Sequence, residues 1–175
     1  MNAPATLGGS ALRARLALYA AAAALLFVVE RALPNPVPWV RLGLPNIVTL
    51  IVLLEHGARA ASLVLAVRLL LGGLFAGTLF GPQSLLSAAG GAASLAAMST
   101  AARLAANRLS PFGLSLLGAA AHATAQLGTL ALWFGGGMFA FLPLFGGLSL
   151  VTGAVTGLIA DALLARLAHA RAGAP

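Results

Sequence analysis

Residues 43–80 read GLPNIVTLIVLLEHGARAASLVLAVRLLLGGLFAGTLF, two apolar runs split by the polar cluster EHGAR at 55–59. Neither run alternates apolar and polar residues as a half-buried strand does, so both read as helix. The first, 43–57, is short for a full membrane crossing, whereas the second, 60–80, meets the roughly 20 residues a transmembrane helix needs. Gly72, Gly73 and Gly77 in the second run are tolerated far better in a membrane helix than in a soluble one. The stretch predicts an antiparallel helical hairpin through Gly57, and the fold class follows from it.

The rest of the 175-residue chain has the same character. Its mean hydropathy is +1.01, with 61% hydrophobic and 7% charged residues, whereas a soluble domain carries roughly a quarter charged. This describes an all-α integral membrane protein; alternating strands are absent, which argues against an outer-membrane barrel. Cutting at charges, prolines and glycine clusters gives six spans, at 11–33, 43–57, 60–80, 83–106, 112–135 and 139–166. A short N-terminal tail, 1–10, precedes a single membrane domain over 11–170. The run LALYAAAAALLFVV at 16–29 follows two arginines, as in a secretory signal. It ends at Glu30 and Arg31 rather than at a cleavage tripeptide, so it is read as a first span.

The net charge of +7 comes from ten arginines and no lysine, placed singly at the ends of apolar runs. That pattern is a topology signal and not a nucleic-acid surface. Arg13, Arg15, Arg59, Arg103, Arg108, Arg166 and Arg171 fall on one side, Arg31 and Arg41 on the other, and Arg68 within a span. The positive-inside rule then puts both termini in the cytoplasm of a multi-pass inner-membrane protein, and the Pro-rich loop 34–46 on the outer face. With no cysteine, the chain has no disulfide, thiolate metal site or covalent haem attachment of its own.

That outer loop, PNPVPWVRLGLPN, holds the chain extended at Pro34, Pro36 and Pro38 and offers Trp39 to the interface. It reads either as a stiff connector or as a cover over a substrate, with Arg41 and Asn46 as polar contacts. Glu30 with Arg41 makes an outer pair or a gate on an outward-facing pocket. Ionisable groups inside a membrane are costly and mark sites by default. His122 lies near the middle of its span with Gln126 one turn on, and two readings stand. It is a neutral histidine bonded to a neighbouring helix, or a substrate-contacting or proton-carrying group at the floor of a cavity. Glu55 and Arg68 are expected to form a structural ion pair across the hairpin.

Small and polar residues draw stripes at helical spacing. Ser84, Ser87, Gly91, Ser94 and Met98 run along the fourth span, and Ser115, Ala119, His122, Gln126 and Thr129 along the fifth. Facing each other, they form either a tight seam or the wall of a polar cavity. Gly73 with Gly77 and Gly153 with Gly157 read as GxxxG packing pairs. Ala17, Ala20, Ala21 and Ala24 line one face of the first span and offer a surface for packing or for a partner.

Asp161 is the only aspartate, so the aspartate-rich motifs that hold magnesium and a diphosphate in prenyl transfer cannot be built, and no GxxxxGK loop is present. No histidine or acidic pair has metal-ligand spacing. The chain is therefore not expected to be an enzyme or to hold a metal.

RLGLPNIVTLIVL at 41–53, SLLSAAGGAASLAAM at 84–98, SPFGLSLLGAAAHATAQLG at 110–128 and FLPLFGGLSLVTGAVTGLIADALL at 141–164 together resemble the Gx transporter family. That family is also labelled heptaprenyl diphosphate synthase component I. It is similar to the substrate-binding S components of energy-coupling factor transporters. The resemblance runs from Glu30 to about Leu164, and departs from the pattern at Pro45 and Ala123. It implies an S-component-like bundle of six helices, a pocket opening outward under the first loop, and a small-residue face on the first helix for a transmembrane coupling subunit. On that footing the chain captures a small vitamin- or isoprenoid-like molecule through Arg41, Asn46, Ser87, His122 and Gln126. It carries no cofactor of its own and depends on a coupling subunit and ATPases for energy. The alternative is a membrane subunit of an extracytosolic electron-transfer system, with flavin-carrying redox proteins as partners and flavin or quinone as cofactor. An accessory subunit of isoprenoid synthesis is the third reading.

Overall fold

The computed structural model describes residues 9–32, 43–105 and 108–173. These form α1 (Gly9–Ala32), α2 (Leu44–Phe75), α3 (Pro82–Leu104), α4 (Pro111–Phe134), a 3-10 turn (Gly136–Phe141) and α5 (Leu142–Ala172). Among the described residues there is no strand. Prolines start α2, α3, α4 and α5, where a missing N–H costs nothing.

α2 is not one straight rod. Gly57 interrupts it at φ 82° and ψ 177°, a conformation closed to residues with a Cβ. Arg68 Nη1 donates to Asn46 Oδ1 at 3.0 Å across 22 residues, a pair that a straight helix would hold about 33 Å apart. The arms 44–56 and 58–75 therefore fold back on each other, as the hairpin reading required. The register overturns one expectation. Asn46 and Arg68 lie eleven residues either side of Gly57, while Glu55 lies two from it and is held near the tip. There its Oε2 accepts from Tyr19 Oη at 2.8 Å and stands 3.7 Å from His56 Nε2. The predicted Glu55–Arg68 pair is replaced by two separate polar contacts at different levels of the hairpin.

The first arm is the centre of the bundle. Every residue from Ile47 to Leu53 is buried, which is what an element apolar on all sides requires. Ala20 and Ala23 of α1, Val64 and Leu65 of the second arm, Leu95 and Met98 of α3, Leu114 of α4 and Ala160 of α5 complete the core around it. A 44–56 arm too short to span comfortably is thus surrounded by longer helices.

Small residues bring α3, α4 and α5 together. A Cβ on Gly118 would stand 2.8 Å from both Ser94 Oγ and Met98 Sδ. One on Gly153 would meet Ala119 Cβ at 2.6 Å, and one on Gly157 would meet Phe112 Cα at 2.9 Å. The Gly153–Gly157 pair packs as expected. Gly73–Gly77 does not, because α2 ends at Phe75 and Gly77 sits in a turn at φ 64°. The alanine face of α1 is also divided: Ala20 and Ala24 are buried against the bundle, while Ala17 and Ala21 are exposed. Of the four alanines, only Ala17 and Ala21 stay accessible, beside the exposed Leu18 and Leu25.

The outside of the bundle is a belt of exposed Leu, Val and Phe, among them Leu70, Leu74, Phe75, Leu132, Phe134, Val151 and Leu158. Water would not sustain so extensive an apolar surface; lipid does. Among the described residues, four helices are long and apolar enough to cross a membrane: Gly9–Glu30, Leu44–Phe75, Pro82–Leu104 and Gly136–Ala170. α4 is as long as α1, at 24 residues, and carries His122, Gln126, Ser115, Thr124 and Thr129 along its length. The chain is an all-helical membrane protein.

Candidate functional site

The site is built where α1 ends and α2 begins. Glu30, on the last turn of α1, is 2% exposed, and its Oε1 accepts the Gly43 N–H at 2.6 Å. Gly43 adopts φ 77°, which a side chain would strain, and its carbonyl accepts the Asn46 N–H at 2.8 Å to start the helix. The Glu30 carboxylate thereby sits at the N-terminus of α2, where the helix dipole favours negative charge. One buried acid ties the end of α1 to the start of α2.

Behind Glu30, Asn46 and Arg68 face each other across the hairpin, and Arg68 is 4% exposed. On the opposite side, α3 contributes Ser87 and Ser94 and α4 contributes His122 and Gln126. The His122 ring lies over Gly90: a Cβ there would stand 2.7 Å from its Cε1 and 2.8 Å from each ring nitrogen. α5 closes the third side with Ser149, Thr152 and Thr156. At the base, Ser115 Oγ donates to the Gly153 carbonyl at 2.8 Å and lies 2.9 Å from Thr156 Oγ1, which reaches the same carbonyl at 3.1 Å. These bonds satisfy polar groups that lipid could not and fix α4 against α5. The space enclosed is about 70 Å³.

Asn46, Ser87, His122 and Gln126, singled out from the sequence, all line this one cavity. Arg41, the fifth predicted contact, lies outside the described residues, as does its proposed pairing with Glu30. Both stripes on α3 and α4 run along this cavity, and the seam and cavity alternatives are both realised: the helices close-pack through Gly118 against Ser94 and Met98, and the stripes also line the hollow. Sequence reasoning assigned Arg68 to a structural pair and did not place it in the wall. It also missed Ser149, Thr152 and Thr156, although their spacing of three and four residues is the same stripe signal that exposed α3 and α4.

A family model described as heptaprenyl diphosphate synthase component I matches residues 19–163. The chain belongs to that family. No curated protein and no solved structure matches it. All of the component I cavity residues named above fall inside the matched range, and so do Glu30 and the Gly57 hairpin.

The chemistry this component I cavity offers is hydrogen bonding. It presents guanidinium, amide, imidazole and hydroxyl donors and one carboxylate acceptor within a low-dielectric bundle, where such bonds discriminate strongly between ligands. Among the described residues, no three histidine or acidic side chains converge to form a metal-ligand set. Glu30 is at the cavity, Glu55 at the hairpin tip, and Asp161 on α5.

Proposed function

We propose that this protein is the ligand-binding membrane component of a small-molecule transporter. Six segments cross the inner membrane, α2 counting as two, with both termini in the cytoplasm as the arginine distribution requires. The cavity, beside the end of α1 and the start of α2, then lies toward the outer face. The observation that carries the reading is the convergence of Glu30, Asn46, Arg68, Ser87, His122 and Gln126, from five helical segments, on one cavity beside the ends of that loop. Buried polar groups in a membrane bundle are expensive, and their concentration at one point is the mark of a ligand site. The chain holds no nucleotide-binding motif, so energy for release comes from partner subunits, an ATPase pair acting through a coupling protein.

A second reading is favoured by the family's description, which names a synthase component. Under it the chain assists isoprenoid synthesis and the chemistry belongs to a partner, since a magnesium–diphosphate centre needs several carboxylates. Extraction in mild detergent followed by mass spectrometry separates the two. The transporter reading expects a small molecule at close to one per chain, reduced about tenfold by Asn46→Ala or Gln126→Ala, together with coupling and ATPase subunits. Recovery of a prenyltransferase, or of flavin- or quinone-loaded redox proteins, with no small molecule sensitive to those substitutions overturns it.

A further inference from the structure

The polar cavity does not end at Phe145. A second, wholly apolar groove of about 330 Å³ is lined by Leu127, Leu130, Phe134, Met138, Phe141 and Phe145, and Phe145 belongs to both walls. The rows of residues that line one run on along the helices into the rows that line the other. On α4 the i, i+4 line His122, Gln126, Leu130, Phe134 passes from cavity to groove, and on the facing element Ser149, Phe145, Phe141 does the same. Both lines change from polar to apolar at the same level. At the far end Phe134 and Phe141 are exposed on the lipid-facing surface.

Volume supports the join. Sites for small organic molecules occupy roughly 300–1,000 Å³. The polar cavity, at about 70 Å³, falls well short of that range, and the groove reaches it. A molecule of ordinary size bonded to Asn46, His122 and Gln126 extends beyond the cavity, and where it enters the groove only an apolar portion is stable. Charge restricts the head. Among the described residues of the cavity wall there is one guanidinium, Arg68, and one carboxylate, Glu30, so there is no excess of fixed positive charge. A diphosphate, with several negative charges to desolvate, needs an excess of cations. A head with both donors and acceptors and no net charge matches the wall.

We propose that the ligand of this site is an amphiphile. Its compact uncharged head, such as a hydroxyl or amide, lies among Asn46, His122 and Gln126, and its apolar chain lies in the groove, entered sideways from the bilayer between α4 and α5. The inference rests on the reading of the cavity as the ligand site.

The test uses the full chain in phosphatidylcholine nanodiscs and two probes with the same dodecyl chain and terminal diazirine, one ending in a hydroxyl and one in a diphosphate. The hydroxyl probe is expected to photolabel residues 127–145, with labelling reduced about tenfold by excess dodecanol. The diphosphate probe is expected to label at least tenfold less. Gln126→Leu and Phe145→Trp, which remove a head contact and block the junction, each lower hydroxyl-probe labelling at least fivefold. The competition on the unaltered chain needs no variant to fold. Labelling that dodecanol does not displace is bulk-lipid contact and overturns the proposal, as does stronger labelling by the diphosphate. Capture of a water-soluble molecule that dodecanol leaves in place overturns it while the transporter reading stands. Specific labelling without transport supports the site and overturns the transporter reading instead.

Discussion

Replacing Arg68 by Ala is expected to lower the Tm of the detergent-purified protein by on the order of 10 °C and to abolish ligand binding. Arg68 is 4% exposed, donates to Asn46 and shares its cavity with the carboxylate of Glu30. Removing one member of a buried polar set leaves the others desolvated and uncompensated, which costs about 3–5 kcal/mol. For a chain of this length each kcal/mol corresponds to roughly 2–4 °C. Arg68→Lys keeps the charge but loses the fixed planar array of N–H donors, so it recovers part of the stability and little of the binding. The same experiment discriminates between the two accounts of the hairpin. With Arg68 set against Asn46, Asn46→Ala and Arg68→Ala are non-additive, because the partner has gone in either background. Glu55→Gln, in contrast, adds to Arg68→Ala. A Tm within 2 °C of the parent for Arg68→Ala would contradict this placement.

Gly90→Ala is expected to cost about 1–3 kcal/mol and to reduce binding at least tenfold, although it adds a single methyl group. That methyl would stand 2.7–2.8 Å from three atoms of the His122 ring, closer than non-bonded atoms tolerate. The α3–α4 crossing is already fixed through Gly118 against Ser94 and Met98, so the helices cannot separate cheaply and the ring moves instead. His122→Ala in the same chain removes the obstruction. The double variant should recover most of the lost Tm while remaining unable to bind. That split, stability restored and binding not, separates a steric effect on His122 from general damage to the bundle. A double variant as unstable as Gly90→Ala would show that the methyl clashes elsewhere.

The sequence reading succeeded where one physical rule dominates. Hydropathy and length defined the apolar segments to within a few residues for α1, α3 and α4, since lipid forces backbone bonds to close within each helix. The hairpin was visible because Gly57 sits between polar residues. The polar stripes of α3 and α4 were visible because a side chain that costs energy in lipid must face inward. What failed depended on register between helices. Two apolar arms give no pattern that fixes which residue opposes which, so Arg68 was assigned to Glu55 by charge when geometry sets it against Asn46. The alanines of α1 illustrate the same gap. Alanine fits either a buried or an exposed face, so composition could not say that Ala20 and Ala24 point inward and Ala17 and Ala21 outward. The groove was invisible for a related reason, because an apolar residue lining a pocket and one touching lipid are the same residue type.

The proposed ligand site is the cavity between Glu30, Arg68, His122 and Gln126, and the proposed topology opens it to the outer side of the membrane. The chain contains no cysteine, so a cysteine introduced at one position is the only thiol present. Ser87→Cys and Ser149→Cys in right-side-out and inside-out vesicles, reacted with a membrane-impermeant thiol reagent, test the claim most directly. The expected result is labelling of both positions from the outer side and at most a tenth of that rate from the cytoplasmic side, slowed by the co-purified ligand. Labelling from the cytoplasmic side alone, or at a rate unaffected by ligand, would contradict it.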